Sequence, residues 1–330
     1  MTSVLRGFMA KKIVVIIVVI GALIGGLSWM LQKEQGMSHS SANEEGKLRV
    51  VTTTTMVTDM VKIIGGERIL VQGLMGPGVD PHSYQVTFRD TAALQGADII
   101  FYSGHHLEGK MQDVLEKRAK KHGGVFAVTD GIAKADLLQP EEEFQGYYDP
   151  HIWGDPALWA RCLSVVVDAL SEADPKGADQ YKERAGIYRE ELLALHDWAQ
   201  ARIGEIPLEQ RVLVTSHDAF HYFGKAFAIQ VKGLQGVSTN SESGLKDRSD
   251  LVEFIQRRAL KTIFPESSVN AKGIRAVAAE AGVQVSEHEL FSDAMGEPGD
   301  AVTLHGETYD KGTYIGMIKH NVNTLVDGLK

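Results

Sequence analysis

The sequence predicts an α/β protein of two Rossmann-like lobes, each a parallel sheet flanked by helices, joined by one long rigid helix, with a ligand site in the cleft. Three observations carry this expectation. Short β-rich runs alternate with stretches of helical period in the first half of the chain, the pattern of a parallel sheet covered on both faces. The same plan returns in the second half without obvious sequence repetition. Between the halves, Lys176 to Ile203 contains no proline. As a helix it would be about 40 Å long, too long to belong to one small sheet unit. The expected boundaries are 1–46 for a signal or anchor segment and tether, 47–174 for the first lobe, 175–204 for the linking helix and 205–330 for the second lobe.

The elements follow in order. Leu48 to Thr54 reads as a buried strand. Val57, Met60, Val61 and Ile64 recur at helical spacing, and Gly65-Gly66 stops that helix. Ile69 to Leu74 is the next strand, and Gly76-Pro77-Gly78 forces a turn after it. Thr87 to Leu94 reads as helix, Ala97 to Tyr102 and Val125 to Val128 as strands. Pro156 to Ala173 is an amphipathic helix, broken at Asp174-Pro175. In the long helix Tyr181, Ile187, Tyr188, Leu192, Leu195 and Trp198 supply the expected apolar stripe. Beyond it the strands are Val212 to Thr215, Gln230 to Leu234, Thr262 to Phe264 and Val283 to Ser286. The helices are Phe220 to Phe227, Asp250 to Leu260, Gly273 to Ala281 and Tyr314 to Leu329.

Composition narrows the function classes. With 44% hydrophobic and 23% charged residues the chain is globular. Its net charge is -9 and no basic cluster points to nucleic acid. The single cysteine, Cys162, excludes an internal disulfide and a multi-thiolate zinc site, and its apolar helical setting reads as core. Ile13 to Leu31 is uncharged and follows Arg6, Lys11 and Lys12. At about 28 Å as a helix it matches the bilayer core, and the positive residues place the folded body outside the cytoplasm. The run is longer than the core of a cleaved signal, and Gly26-Leu27-Ser28 is a poor cleavage site, so it fits an uncleaved anchor better. No cysteine follows it to carry a lipid. Residues 32–46 are polar and read as a flexible tether.

Chemistry enters with a repeated triplet. Asp-Pro-His occurs at Asp80-Pro81-His82 and at Asp149-Pro150-His151. His217 follows the strand Val212 to Thr215, and Asp293 follows the segment Val283 to Phe291. Such positions lie where the cleft of an open α/β sheet forms. Three imidazoles and one carboxylate complete a four-coordinate set for a divalent transition metal. Asp80 and Asp149 are placed either to hold the far ring nitrogen of a ligand histidine or to shape turns. The remaining histidines read differently. His221 is one helical turn from His217, but His217 precedes that helix, so the pair is not an i, i+4 site. His105 and His106 follow the strand ending at Tyr102. His39, His122, His196, His288, His305 and His320 read as surface or packing residues.

Five stretches carry a specific resemblance: Pro77 to Tyr84, Tyr148 to Trp153, Val214 to Phe223, Val231 to Thr239 and Leu290 to Gly296. They resemble, in the right order over about residues 47–330, the zinc/manganese solute-binding proteins of bacterial ABC transporters. The resemblance implies the two-lobed fold with one connecting helix, an extracytoplasmic location, capture of one zinc or manganese ion, and delivery to an ABC permease. It implies His82, His151, His217 and Asp293 as the metal ligands, and it places Glu266 behind them. A monomer with no nucleic-acid partner and no enzymatic activity is expected.

Two departures inform the metal. Ala133 to Tyr148 has Glu141-Glu142-Glu143 but no histidine, so the histidine-rich loop of some members of that family is missing. Some manganese-dedicated members have Glu at the third ligand position, where this chain has His217. Nitrogen favours zinc and carboxylate oxygen favours manganese, so the set tilts towards zinc. The competing classes are a metalloenzyme and a surface adhesin with a structural metal. An enzyme needs an open coordination position, and the His-Glu-x-x-His pattern is absent. Neutral imidazoles are needed to bind, so affinity is expected to fall as pH drops through about 6.5.

Overall fold

The computed structural model describes residues 46–139, 146–240 and 243–330. The apolar run Ile13 to Leu31 and the Glu141-Glu142-Glu143 segment lie outside the described residues. Among those described, no helix is long and apolar enough to cross a membrane.

The first lobe is a four-stranded sheet of β1 (Leu48–Thr52), β2 (Ile69–Gly73), β3 (Ile99–Tyr102) and β4 (Val125–Ala127), in the order β2-β1-β3-β4. All three pairings are parallel. Helix α1 (Thr55–Gly65) starts where the Thr54 hydroxyl accepts from the Val57 N–H and ends at Gly66, whose φ of 53° opens the chain for the next turn. Helices α2 (Phe88–Gly96) and α3 (Gln112–His122) cover the other face. Sequence periodicity does not reveal α3, because it buries only Leu115 and carries a nearly all-polar surface.

Helix α4 (Pro156–Ala173) is capped by Asp155, with Pro156 in its first turn. A short 3-10 turn, Pro175–Gly177, separates it from α5 (Ala178–Ile203), the expected connecting helix. Its buried stripe is Tyr181, Ala185, Tyr188, Leu192, Leu195, Ala199 and Ile203. Ile187, expected on that stripe, is 57% exposed instead. Spacings of four and three residues from Tyr181 select Ala185 and Tyr188, so small Ala residues do the packing where size alone pointed to Ile187 and Trp198.

The second lobe contains two parallel pairs, β5 (Val212–His217) with β6 (Gln230–Gln235), and β7 (Thr262–Ile263) with β8 (Gln284–Val285). The Phe264 N–H donates to the Val214 carbonyl and sets β7 beside β5. The arrangement therefore repeats the plan of the first lobe. Helices α6 (His221–Phe227), α7 (Leu245–Arg257), α8 (Lys272–Ala281) and α9 (Tyr314–Leu329) surround it. Helix α7 begins five residues before the expected Asp250 because Gly244 donates its N–H to Asp247. A hairpin, β9 (Ala301–Leu304) and β10 (Glu307–Asp310), turns at His305 and Gly306, with φ of 52° and 80°. It was not expected, since its two four-residue strands bury only Tyr309.

One apolar core runs through both lobes, from Val50 and Met60 through Tyr188 and Leu192 to Phe223 and Leu325. Each lobe adds a smaller core on its far side. The connecting helix is pinned to the first lobe by Arg184, which donates to the Gly65 carbonyl, and to α9 by Arg202, which donates to Asn323.

Candidate metal centre

Each singled-out residue reaches the cleft from a different local structure. His82 lies in the turn after Gly78, whose φ is 69°. His151 stands immediately before the 3-10 turn Ile152–Gly154. His217 is the last residue of β5, which runs two residues past the expected end at Thr215. Asp293 lies in the loop after a parallel bridge between Glu266 and Leu290. All four side chains are buried.

They converge. His82 Nε2 is 3.3 Å from His151 Nε2. Asp293 Oδ1 is 3.4 Å from His151 Nε2, and its Oδ2 is 3.2 Å from His217 Nε2. One ligand atom from each residue lies within 4.8 Å of the others. Zinc–nitrogen bonds of about 2.0 Å in a tetrahedron require ligand atoms about 3.3 Å apart. The three separations quoted above are near that edge, although two of them run to different Asp293 oxygens, and the whole set spans no more than 4.8 Å. Both Asp293 oxygens and His217 Nε2 are buried and face one another across the centre without hydrogen-bond geometry. An orphaned buried acceptor costs about 1–3 kcal/mol, and a cation at the centre would remove that cost. The donor set and the spacing can hold one ion.

Behind the nitrogens stand carboxyl groups. Asp149 Oδ1 is 2.8 Å from His151 Nδ1, and Oδ2 of the same carboxylate is 3.0 Å from His221 Nδ1. Glu266 Oε2 lies 2.6 Å from His217 Nδ1, while its Oε1 accepts the His217 backbone N–H at 2.8 Å. Both placements turn the far nitrogen Nε2 towards the centre. Asp80, in the matching triplet, accepts the His82 backbone N–H just as Asp149 accepts that of His151, but its second oxygen accepts from the Ser83 and Thr239 hydroxyls and reaches no imidazole. The two Asp-Pro-His triplets therefore share a turn and differ in what the aspartate grips. Trp153 packs edge-on against the His151 ring and donates its Nε1–H to the Ser292 carbonyl, beside Asp293. Sequence reasoning missed this brace, which no spacing rule signals.

Electrostatics follow from burial and neighbours. Burial lowers the His82 imidazole to about 4, partly offset by Asp293. Burial also opposes charge on His151, but Asp149 and then Asp293 outweigh it and raise the group to about 9. His217 is raised well above its ordinary value because Glu266 and Asp293 overcome its burial. Asp293 is held well below the usual carboxylate range by His217 and its neighbours, against the effect of burial. The centre is thus built to hold positive charge, which a metal or protons can supply. Proton competition at His151 and His217 accordingly lies above the expected 6.5, while at His82 it lies below.

The other histidines stay outside the cluster. His221 backs Asp149, His105 packs its ring against Tyr148, and His106 packs against Tyr147. Among the described residues, His82, His151, His217 and Asp293 form the single group with metal-holding spacing.

A two-lobed α/β fold with a connecting helix and a buried three-histidine, one-aspartate cluster defines a class of metal-binding proteins, and residues 50–328 match the family described as zinc-uptake complex component A, periplasmic. The chain belongs to that family, the solute-binding components of metal ABC transporters. It is 41% identical over 299 residues to the manganese-binding lipoprotein MntA of Bacillus subtilis (strain 168), covering 89% of this chain and 94% of that one. It is 40% identical over 304 residues to the zinc-binding protein TroA of Treponema pallidum (strain Nichols), covering 89% and 94%. The solved structure of the periplasmic zinc-binding protein TroA of Treponema pallidum superposes with a TM-score of 0.79 at 40% identity, over 86% of this chain and 99% of that one. The laminin-binding protein Lmb of Streptococcus agalactiae, described as bifunctional with adhesin and metal-transporting activity, superposes with a TM-score of 0.72 at 26% identity, over 86% and 100%.

Proposed function

We propose that this protein captures one divalent zinc or manganese ion outside the cytoplasm, on His82, His151, His217 and Asp293, and hands it to an ABC permease. The convergence of these four buried side chains, with one ligand atom from each within 4.8 Å of the others, is the observation that carries the reading. Three nitrogens favour zinc, while a relative at 41% identity is named for manganese and one at 40% for zinc. The affinity order favours zinc over manganese whichever ion is carried in the cell. Metal content of protein isolated from its own cells therefore identifies the cargo better than affinity does.

A receptor fits better than an enzyme. Four protein ligands fill a tetrahedral set, whereas catalysis keeps a position open. We take the working unit to be a monomer with lobes 47–174 and 205–330 joined by 175–204. We further assign residues 1–46 to a signal or anchor segment and tether. Replacing His217 by Ala is expected to weaken zinc binding at least roughly tenfold with the fold retained. Titration calorimetry with circular dichroism checks this, and unchanged affinity would remove His217 from the ligand set.

A further inference from the structure

The three histidines are held in two different ways. All three donate their backbone N–H to a carboxylate, but only His151 and His217 are also held through their rings, by Asp149 and Glu266. Among the described residues no carboxylate lies within ion-pair distance of the His82 ring. What holds His82 is its main chain. Its N–H donates to Asp80 Oδ1 at 2.9 Å, and its carbonyl accepts from Asn240 Nδ2 at 2.7 Å. Asp80 Oδ2 in turn accepts from the Thr239 hydroxyl at 2.7 Å. Thr239 and Asn240 belong to the second lobe, after β6, while Asp80 and His82 belong to the first. Two adjacent residues of one lobe thus clasp both sides of the His82 turn of the other.

The position of the clasp matters. Asn240 is exposed and Thr239 half-buried, so these bonds sit at the rim of the site and can open without disturbing the apolar core. The turn they hold contains Gly76-Pro77-Gly78 and is flanked by a firm anchor, the Tyr84 hydroxyl donating to Asp90 at 2.7 Å. His82 is therefore the ligand whose placement depends on a breakable link between lobes.

Resting on the capture reading above, we propose that Thr239 and Asn240 are positioning residues that latch His82 onto the bound ion and set how long it stays. Opening the latch withdraws one of four ligands and starts release. The other two imidazoles stay in place through their carboxylates, so the latch acts on dissociation more than on the assembly of the site.

Zinc dissociation from the full-length protein, followed by stopped-flow transfer to a fluorescent chelator, tests this. The double variant Thr239→Val/Asn240→Ala is expected to release zinc roughly tenfold faster or more, given two lost hydrogen bonds, one to a carboxylate. It should still bind one zinc and melt, when metal-free, at the wild-type temperature. Thr239→Ser, which keeps the hydroxyl, should return the single-site rate towards wild type where Thr239→Val does not. An unchanged release rate in the double variant would overturn the proposal. So would a lowered melting temperature of the metal-free protein, which would indicate a general structural role. A wild-type protein that takes up no zinc would sink the capture reading itself, and that result precedes any variant.

Discussion

Asp149 shows how one carboxylate can organise a site. It holds the His151 ring, accepts the His151 backbone N–H at 2.9 Å and reaches His221. Asp149→Asn keeps the shape and removes the charge, and is expected to lower zinc affinity by roughly 10–100-fold. Competition against a zinc chelator reads that loss, and an affinity within twofold of wild type would rule out the role. The titration of His151 makes a second prediction. Its folded value of about 9 lies above the ordinary 6.5, so in the metal-free protein this group contributes stability below pH 6.5. That contribution is lost as pH rises through about 9. Metal replaces the proton, so binding releases protons at neutral pH and strengthens as pH rises. The melting-temperature gap between zinc-loaded and metal-free protein should therefore widen from pH 6.5 to 9, and a constant gap would contradict the assignment. The repeated triplet made His82 and His151 visible in the sequence, and the flanking motifs made His217 and Asp293 visible. The separate duties of Asp80 and Asp149 were not, because both occupy the same turn and differ only in what the folded chain brings near the carboxylate.

Among the elements, the strands and the amphipathic helices were legible because burial imposes a period on them. Helix α3 and the β9–β10 hairpin were not, because they lie on the surface and bury little. Helix α5 shows the limit of reading size as burial. Ile187 is exposed while Ala185 packs inside. Two substitutions separate these environments. Leu192→Ala, at a fully buried site of the shared core, should cost about 2–5 kcal/mol of stability. Ile187→Ala should change stability by no more than about 0.5 kcal/mol. Urea unfolding of both variants checks the pair, and equal losses would mean that the helix is rotated from the orientation described.

At the scale of the whole molecule, the shared apolar core and the pinned connecting helix limit how far the lobes can separate. Parting them widely would expose Tyr188, Leu192 and their neighbours on both sides, a cost of about 25 cal/mol for each Å² of apolar surface. Local opening at the His82 rim avoids that cost. Small-angle scattering should accordingly show little change in radius of gyration between metal-free and loaded protein, and a large compaction on loading would refute a rigid frame. The four clustered side chains come from positions 82, 151, 217 and 293 because the two lobes present their loops to a common cleft. Anomalous diffraction at the zinc absorption edge, from crystals of the zinc-loaded protein, tests that convergence most directly. The account predicts one strong peak bonded to His82, His151 and His217 through Nε2 and to the Asp293 carboxylate. A peak elsewhere, or one that leaves any of these four uncoordinated, would contradict it.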